Sequence, residues 1–502
     1  MPTRRELLKG LAATGLASIT ATSKPAHARK RQRKNLLIIS SDEHRHDAMS
    51  CAGHPVLQTP RLDSLAAQGM RLTQSVASAP LCAPARQSLL TGLLPSEHGQ
   101  LGNGFVFDPR HPTLVEAARD AGIYTAGFGK MHLNNGQEDL SSCAGFQRFD
   151  AGNTSDIWYI TELQKALRSS RPPGRLDPED EAVWKALAKK DQRFWGMPLD
   201  DASLLPDERI AALTHQELEQ APTDRPWLIY CSFRQPHHYW TLPRRHYYRY
   251  ALELIDTPVL PEAMTRRDRE RASRYGWDAM TPEQVAVCRA RYYGGIDYID
   301  TQVGAILDRL EDLGLAEDTV VAYISDHGEQ LGEHGLWFKG TMHPGSVRVP
   351  TIIRAPNALP AGTESEVLLA GVDMLPTLMN LAGWEMPPLL PDGQAISGKD
   401  LSTALMGLEP GPSEQFSMMA SGRGVDLSMV ATQQHRLVAH GLGRERPKAL
   451  QLFDRKSDPH GCRDIVQESP LTRDLESALD AWLAGLQQPR FAPQRLKAGG
   501  AA

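Results

Sequence analysis

The segment Leu81–Gly92, LCAPARQSLLTG, sets one cysteine ahead of Ala-Pro-Ala-Arg and an apolar, helix-forming run. A helix starting there offers unpaired backbone N–H groups and a positive dipole end, which attract anions. Pro84 suits the first turn, where its missing N–H is harmless, and Arg86 adds a planar, permanently charged donor. The position fits a nucleophile that handles an oxyanion. As a bare thiol in an oxidising compartment, however, Cys82 would be open to oxidation. Two further segments offer metal ligands: SSDEH, with Asp42, Glu43 and His44, and SDHGE, with Asp326 and His327. Hard oxygen donors joined by a histidine suit a divalent cation such as Ca²⁺ or Mg²⁺, whereas zinc more typically takes His and Cys. Read singly, each acidic segment could equally cap a turn.

These residues need a scaffold, and apolar runs alternating with helix-period segments predict an α/β fold with a mainly parallel sheet. Strands are expected over Asn35–Ser41, Ile123–Phe128, Trp227–Phe233, Thr319–Ser325 and Val349–Arg354. Helices are expected over Thr59–Gln68, Thr113–Asp120 and Pro282–Leu313. Asp42, Lys130, His237 and Asp326 then all fall just beyond strand ends, where open α/β sheets bind ligands. The stretch from Asp156 to Pro206, rich in Trp, Pro and charge, reads as an insertion. Tyr239–Thr281, aromatic and basic, reads as a solvated loop with a packed aromatic face or as a substrate rim. Beyond residue 385 the pattern becomes short strands (Ser428–Thr432, Arg436–His440, Leu450–Phe453) and a last helix, Thr472–Leu486. The expected organisation is a large domain over 35–385, a smaller α+β domain over 386–490 with an antiparallel sheet, and a loose tail over 491–502.

The chain has 502 residues and a formal charge of −5, with no dominant basic stripe, which speaks against nucleic-acid binding. Its start differs: TRRELLK (Thr3–Lys9), an apolar run over Gly10–Ala21 and Ala26-His27-Ala28 describe an export signal over residues 1–28. The paired arginines point to the twin-arginine route and a periplasmic or secreted product. The apolar run is shorter than the roughly 20 residues needed to span a bilayer, so no stable membrane insertion is expected. Residues 1–28 carry Arg4, Arg5, Lys9 and Lys24 against Glu6, so the remainder carries about −8. The six cysteines, at 51, 82, 143, 231, 288 and 462, form no CxxC pair and no dense framework, although one bridge stays open.

At this point the chain resembles the type I sulfatases of the alkaline phosphatase superfamily. Their Cys-x-Pro-x-Arg…Thr-Gly hallmark appears here as CAPARQSLLTG. GKMHL (Gly129–Leu133), QPHHY (Gln235–Tyr239), SDHGE, FKGTMHPGSVRVP (Phe338–Pro350) and LFDRKSDPH (Leu452–His460) are similar to further family elements. The resemblance implies an alkaline-phosphatase-like large domain and hydrolysis of a sulfate monoester, small-molecule or carbohydrate, to an alcohol and inorganic sulfate. It implies that Cys82 is converted to formylglycine, whose hydrate attacks sulfur, which would remove the vulnerable thiol. It also implies one divalent metal, Ca²⁺ foremost and Mg²⁺ as the alternative, held by Asp42, Asp326, His327, Glu43 and the modified Cys82. Arg86 and Lys130 would support the hydrate and the developing anion, and Lys339 would bind sulfate oxygens. His237 would protonate the leaving alcohol, His132 would take the second hydrate proton, and Asn103 would lie near metal and substrate. The maturation partners so implied are a formylglycine-generating enzyme and the Tat translocase. Two departures stay open: many relatives have Asp-Asp where this chain has Asp42-Glu43, and His238 could replace His237. Competing readings are a phosphonate or phosphate monoester hydrolase with a similar site, and a catalytically silent anion-binding homologue. A choline-like head caged by Tyr239 or Trp240 is one substrate option.

Overall fold

The computed structural model describes residues 33–108, 110–132, 145–151, 186, 196–385, 389–391, 393–421, 424–441, 449–486, 489 and 491–495. The expected signal over 1–28, most of the 156–206 insertion and the end of the tail lie outside these residues.

Eight strands make the main sheet: β1 (Asn35–Asp42), β2 (Met70–Leu72), β3 (Tyr124–Gly129), β4 (Arg148–Asp150), β5 (Trp227–Pro236), β6 (Thr319–Ser325), β7 (Thr351–Arg354) and β8 (Thr363–Ser365). Their order is β8-β2-β7-β6-β1-β5-β3-β4. All pairings are parallel except the two that β7 makes, with β6 and β2. A parallel sheet covered on both faces needs unbroken apolar strands, and period-two alternation assigns each side chain to a face. Leu37, Ile39, Ile229, Cys231, Phe233, Val321 and Tyr323 enter one core, while Leu36, Ile38, Leu228, Tyr230, Val320, Ala322 and Ile324 enter the other.

The principal helices of this region are α1 (Pro60–Gln68), α2 (Cys82–Thr91), α3 (Leu114–Asp120), α4 (Pro206–Gln220), α5 (Arg266–Tyr275), α6 (Pro282–Asp312) and α7 (Gly371–Leu381). α1, α4 and α6 fill the first core; α2, α3 and α7 fill the second. The starts are written locally. Thr281 accepts from the Gln284 N–H in a capping box before Pro282, and Thr113 does the same for Glu116. The start of α1 is capped from a distance, since Asp300 on α6 accepts from the backbone N–H groups of Arg61 and Leu62 at 3.1 and 2.8 Å.

The C-terminal region is an antiparallel sheet in sequence order: β9 (Gln415–Ser421), β10 (Gly424–Ala431), β11 (His435–His440) and β12 (Ala449–Asp454). One face packs Met418, Leu427, Met429 and Val438 against Val76, Met342, Val347 and Val372. The other packs Val430, Leu437 and Leu452 beneath Leu475 and Leu479 of α8 (Thr472–Gly485). The Met418 N–H donates to the Ser78 carbonyl at 3.0 Å, so this sheet braces the chain four residues before Cys82.

The packed aromatic face expected in Tyr239–Thr281 is present, but the segment is not all loop. It holds α5, and Trp240 and Tyr247 lie in the first core. Trp240 is 1% exposed and its indole N–H donates to the Pro236 carbonyl at 2.9 Å, so it cannot cage a substrate cation. Large aromatic surfaces gained more from burial than the basic neighbours did from hydration. Among the described residues no helix is long and apolar enough to cross a membrane.

Candidate active site

The carboxyl edge of the main sheet gathers the polar residues. Asp42 ends β1, Lys130 follows β3, His237 follows β5 and Asp326 follows β6. Cys82 is the first residue of α2 and is fully buried. Its Sγ lies 3.1 Å from His327 Nε2, 3.0 Å from Lys339 Nζ and 3.8 Å from Asp42 Oδ1. Ligand atoms of Asp42, Cys82, Asp326 and His327 all fall within 4.8 Å of one another, and all four residues are buried.

Arg86, one turn along α2, ties this group together from below. Its Nε meets Asp326 Oδ2 at 2.8 Å, a second nitrogen lies 3.2 Å from Asp42 Oδ2, and a third donates to Ser232 Oγ at 2.7 Å and to the Lys130 carbonyl. Lys130 Nζ pairs with Asp42 Oδ2 at 2.7 Å. Asn103 Oδ1 accepts from the Ala83 N–H at 3.1 Å, which places it at the start of α2 beside Cys82.

A second group sits beside the first. Glu43 Oε2 lies 3.3 Å from Lys339 Nζ, 3.6 Å from His237 Nε2 and 3.6 Å from His238 Nδ1. The two imidazoles stack with centroids 3.9 Å apart, so both histidines are present at the site. His132 is half-buried at a φ of +55°, and its buried Nδ1 has no hydrogen-bond partner among the described residues.

Burial opposes every charge here, and ion pairing decides which survive. For Asp42 burial is outweighed by Lys130, then Arg86, Lys339 and His327, which hold its carboxyl well below the usual range. Burial is likewise overcome at Glu43 by Lys339 and His238, which bring it down to about 2. At Cys82 burial and Asp42 push up, but Lys339, His327 and Lys130 pull the thiol down to about 5. Against burial, Asp326 and Cys82 raise His327 to about 9. Burial lowers His237 well below its ordinary value, and the charges of His238, Lys339, Lys130 and Arg234 add to that.

Three contributors escaped sequence reasoning. Ser232 Oγ receives Arg86 and donates to the Lys130 carbonyl at 2.7 Å. The Tyr292 hydroxyl donates to the Glu43 carbonyl at 2.7 Å. Glu329 is buried and accepts from the Leu331 N–H at 2.9 Å and from the Phe338 N–H. Burial and the Glu43 charge push its carboxyl well above the usual range. Only Glu329 carried a signal, its place two residues after His327 in SDHGE.

The Sulfatase family profile matches residues 34–384, and the profile described as N-sulphoglucosamine sulphohydrolase, C-terminal, matches residues 332–488. The chain belongs to the sulfatase family. As such it is a sulfuric ester hydrolase. It is 28% identical to the choline-sulfatase of Rhizobium meliloti (strain 1021) over 465 residues, covering 88% of this chain and 86% of that protein. It is 26% identical to the N-acetylglucosamine-6-O-sulfatase of Bacteroides thetaiotaomicron, covering 76% of this chain and 73% of the relative. The phosphonate monoester hydrolase of Agrobacterium radiobacter shares the fold, with a TM-score of 0.70 at 22% identity, covering 93% of this sulfatase and 100% of the hydrolase. The complex of BT4656 with its substrate D-glucosamine-2-N,6-O-disulfate also superposes, with a TM-score of 0.65 at 21% identity over 90% of this chain and 97% of that one.

Proposed function

We propose that this sulfatase hydrolyses a sulfate monoester to an alcohol and inorganic sulfate with a nucleophile made from Cys82. The observation that carries the reading is the set of neighbours around one buried atom. Cys82 Sγ lies between the Lys339 ammonium and His327, beside the carboxylates of Asp42 and Asp326. As formylglycine, residue 82 would offer a hydrated aldehyde oxygen in the place of that sulfur.

The donor set fits a divalent cation. Two buried carboxylates and the residue-82 oxygen suit Ca²⁺ or Mg²⁺, and the His327 imidazole also admits Mn²⁺. Such an ion would supply Lewis-acid charge for the sulfate and its attacker. Arg86 holds Asp42 and Asp326 in register, and Lys130 keeps Asp42 ionised. Lys339 supplies a fixed positive charge where the sulfate oxygens gather negative charge. Asn103 holds the start of α2 beside residue 82 and is the proposed contact near metal and substrate.

His237 is the proposed proton donor to the leaving oxygen. Burial and nearby cations keep it neutral in the free enzyme, and the negative charge of a bound sulfate ester offsets Lys339 and Lys130. His132 is the proposed acceptor of the second hydrate proton when sulfate departs. The large domain, C-terminal domain and tail are proposed at 35–385, 386–490 and 491–502, behind a twin-arginine export signal over 1–28. The export reading places the enzyme in the periplasm or outside the cell.

Two measurements test the reading. Mass spectrometry of the peptide containing residue 82, from enzyme made with a formylglycine-generating enzyme, is expected to show a loss of about 18 Da relative to cysteine. Steady-state turnover of choline sulfate, aryl sulfates and sulfated sugars beside an aryl phosphonate then identifies the ester. An unconverted thiol in active enzyme, or phosphonate turnover far above every sulfate, refutes the proposal. Cys82→Ala is expected to fold and to lose turnover.

A further inference from the structure

Glu43 stands directly after a carboxylate of the metal cluster, yet its own carboxylate belongs to a different, adjoining group of side chains. Its backbone N–H donates to Asp326 Oδ1 at 3.1 Å, so the main chain serves that cluster. The residue has a φ of +68°, uncommon for a non-glycine residue, and Tyr292 fixes the conformation through the Glu43 carbonyl. Its carboxylate falls instead among His237, His238 and Lys339, at 3.3–3.6 Å. With His237 and His238 it forms a group separate from that of Asp42, Cys82, Asp326 and His327. The buried Glu329 binds the Phe338 N–H directly before Lys339, which fixes the backbone that carries that ammonium.

We infer that Glu43 is not a metal ligand but the positioning residue of the leaving-group acid, holding His237 and His238 beside Lys339. This rests on the sulfatase reading above. His237 Nδ1 lies against the His238 carbonyl, which leaves Nε2 facing Glu43 and the substrate space. As the S–O bond to the leaving group breaks, its electron pair goes to the departing oxygen and the Nε2 proton follows. Glu43 then counters the positive charge that the imidazole must carry before that transfer. Lys339, bound to the same oxygen of Glu43, is kept at the sulfate by the same contact.

The test uses Glu43→Gln in the full, formylglycine-converted enzyme, with metal affinity from chelator competition as a readout independent of turnover. The expected result is one metal ion per chain with affinity within tenfold of wild type. The kcat/KM for phenyl sulfate, whose basic leaving group needs a proton, is expected to fall about 100-fold or more. For 4-nitrophenyl sulfate, whose leaving group departs unprotonated, a fall of less than about tenfold is expected. A tenfold or greater loss of metal affinity overturns the inference, as does an equal loss on both esters. Glu43→Ala carries the same readouts if the amide variant folds poorly. Wild-type enzyme without sulfate turnover would refute the sulfatase reading alone, because metal affinity would still decide the role of Glu43.

Discussion

Arg86→Met measures how much of the active-site edge is held by one guanidinium. Arg86 is 2% exposed and contacts Asp326 at 2.8 Å and Asp42 at 3.2 Å, both buried. Methionine matches much of its length but removes the charge. Lys130 still pairs with Asp42, so Asp326 loses its closest cation and keeps only His327, at 3.8 Å. Breaking a buried pair by removing one partner costs about 3–5 kcal/mol. Arg33–Ala502 form one compact unit of 470 residues, and at about 2.1 cal/mol/K per residue its unfolding entropy is about 1 kcal/mol/K. The expected loss in Tm is therefore about 3–5 °C with chelator present. A bound divalent cation compensates the same carboxylates, so saturating metal is expected to shrink the gap by half or more. Scanning fluorimetry with and without metal reads both values. Arg266→Met, which removes an exposed pair with Glu270, serves as the control and is expected to shift nothing measurable. An unchanged Tm for Arg86→Met in chelator, or a gap that ignores metal, would refute the reasoning.

Two further substitutions probe the scaffold. Gly129 ends β3 directly before Lys130 at a φ of +91°, and a Cβ there would lie 2.0 Å from the Ser232 carbonyl oxygen. Gly129→Ala is expected to destabilise by about 4 kcal/mol or more and to cut soluble yield, read by chemical denaturation. Burial raises the Asp300 carboxyl from 3.8 to about 7, so the folded state retains a proton that the unfolded state releases. Its contribution to stability therefore declines as pH rises from about 4 to 7. Asp300→Asn, neutral throughout, is expected to gain stability relative to wild type across that window by up to about 4 kcal/mol. A pH-independent difference in urea midpoints would contradict this.

The sheet and the positions of its polar edge were legible because buried parallel strands leave continuous apolar runs. Thr319–Ser325 was read with its observed limits, and Asp42, Lys130, His237 and Asp326 all stand where the strand ends put them. Met70–Leu72 and Gln415–Ser421 were missed, because a three-residue strand has no period and Gln415 begins a strand with mixed polarity. Helix α5 was missed because seven of its ten residues are charged, so its pattern gives little inward stripe. Trp240 was misread because composition alone does not say which side of an aromatic segment faces inward. The direction of the Glu43 side chain was unreadable for a different reason. It depends on a positive φ fixed by Tyr292, which is 249 residues away in sequence.

The burial of Cys82 has a consequence in time as well as in space. A residue sealed between α2, Lys339 and His327 cannot be reached by a modifying enzyme once those parts have met. Lys339 leaves the ribosome 257 residues after Cys82, about 13–50 s later at roughly 5–20 residues per second. The proposed conversion therefore competes with synthesis of the chain's own second half. Slowing translation between these two residues should raise the converted fraction, and a scarce modifying enzyme should leave a folded population permanently committed to the thiol.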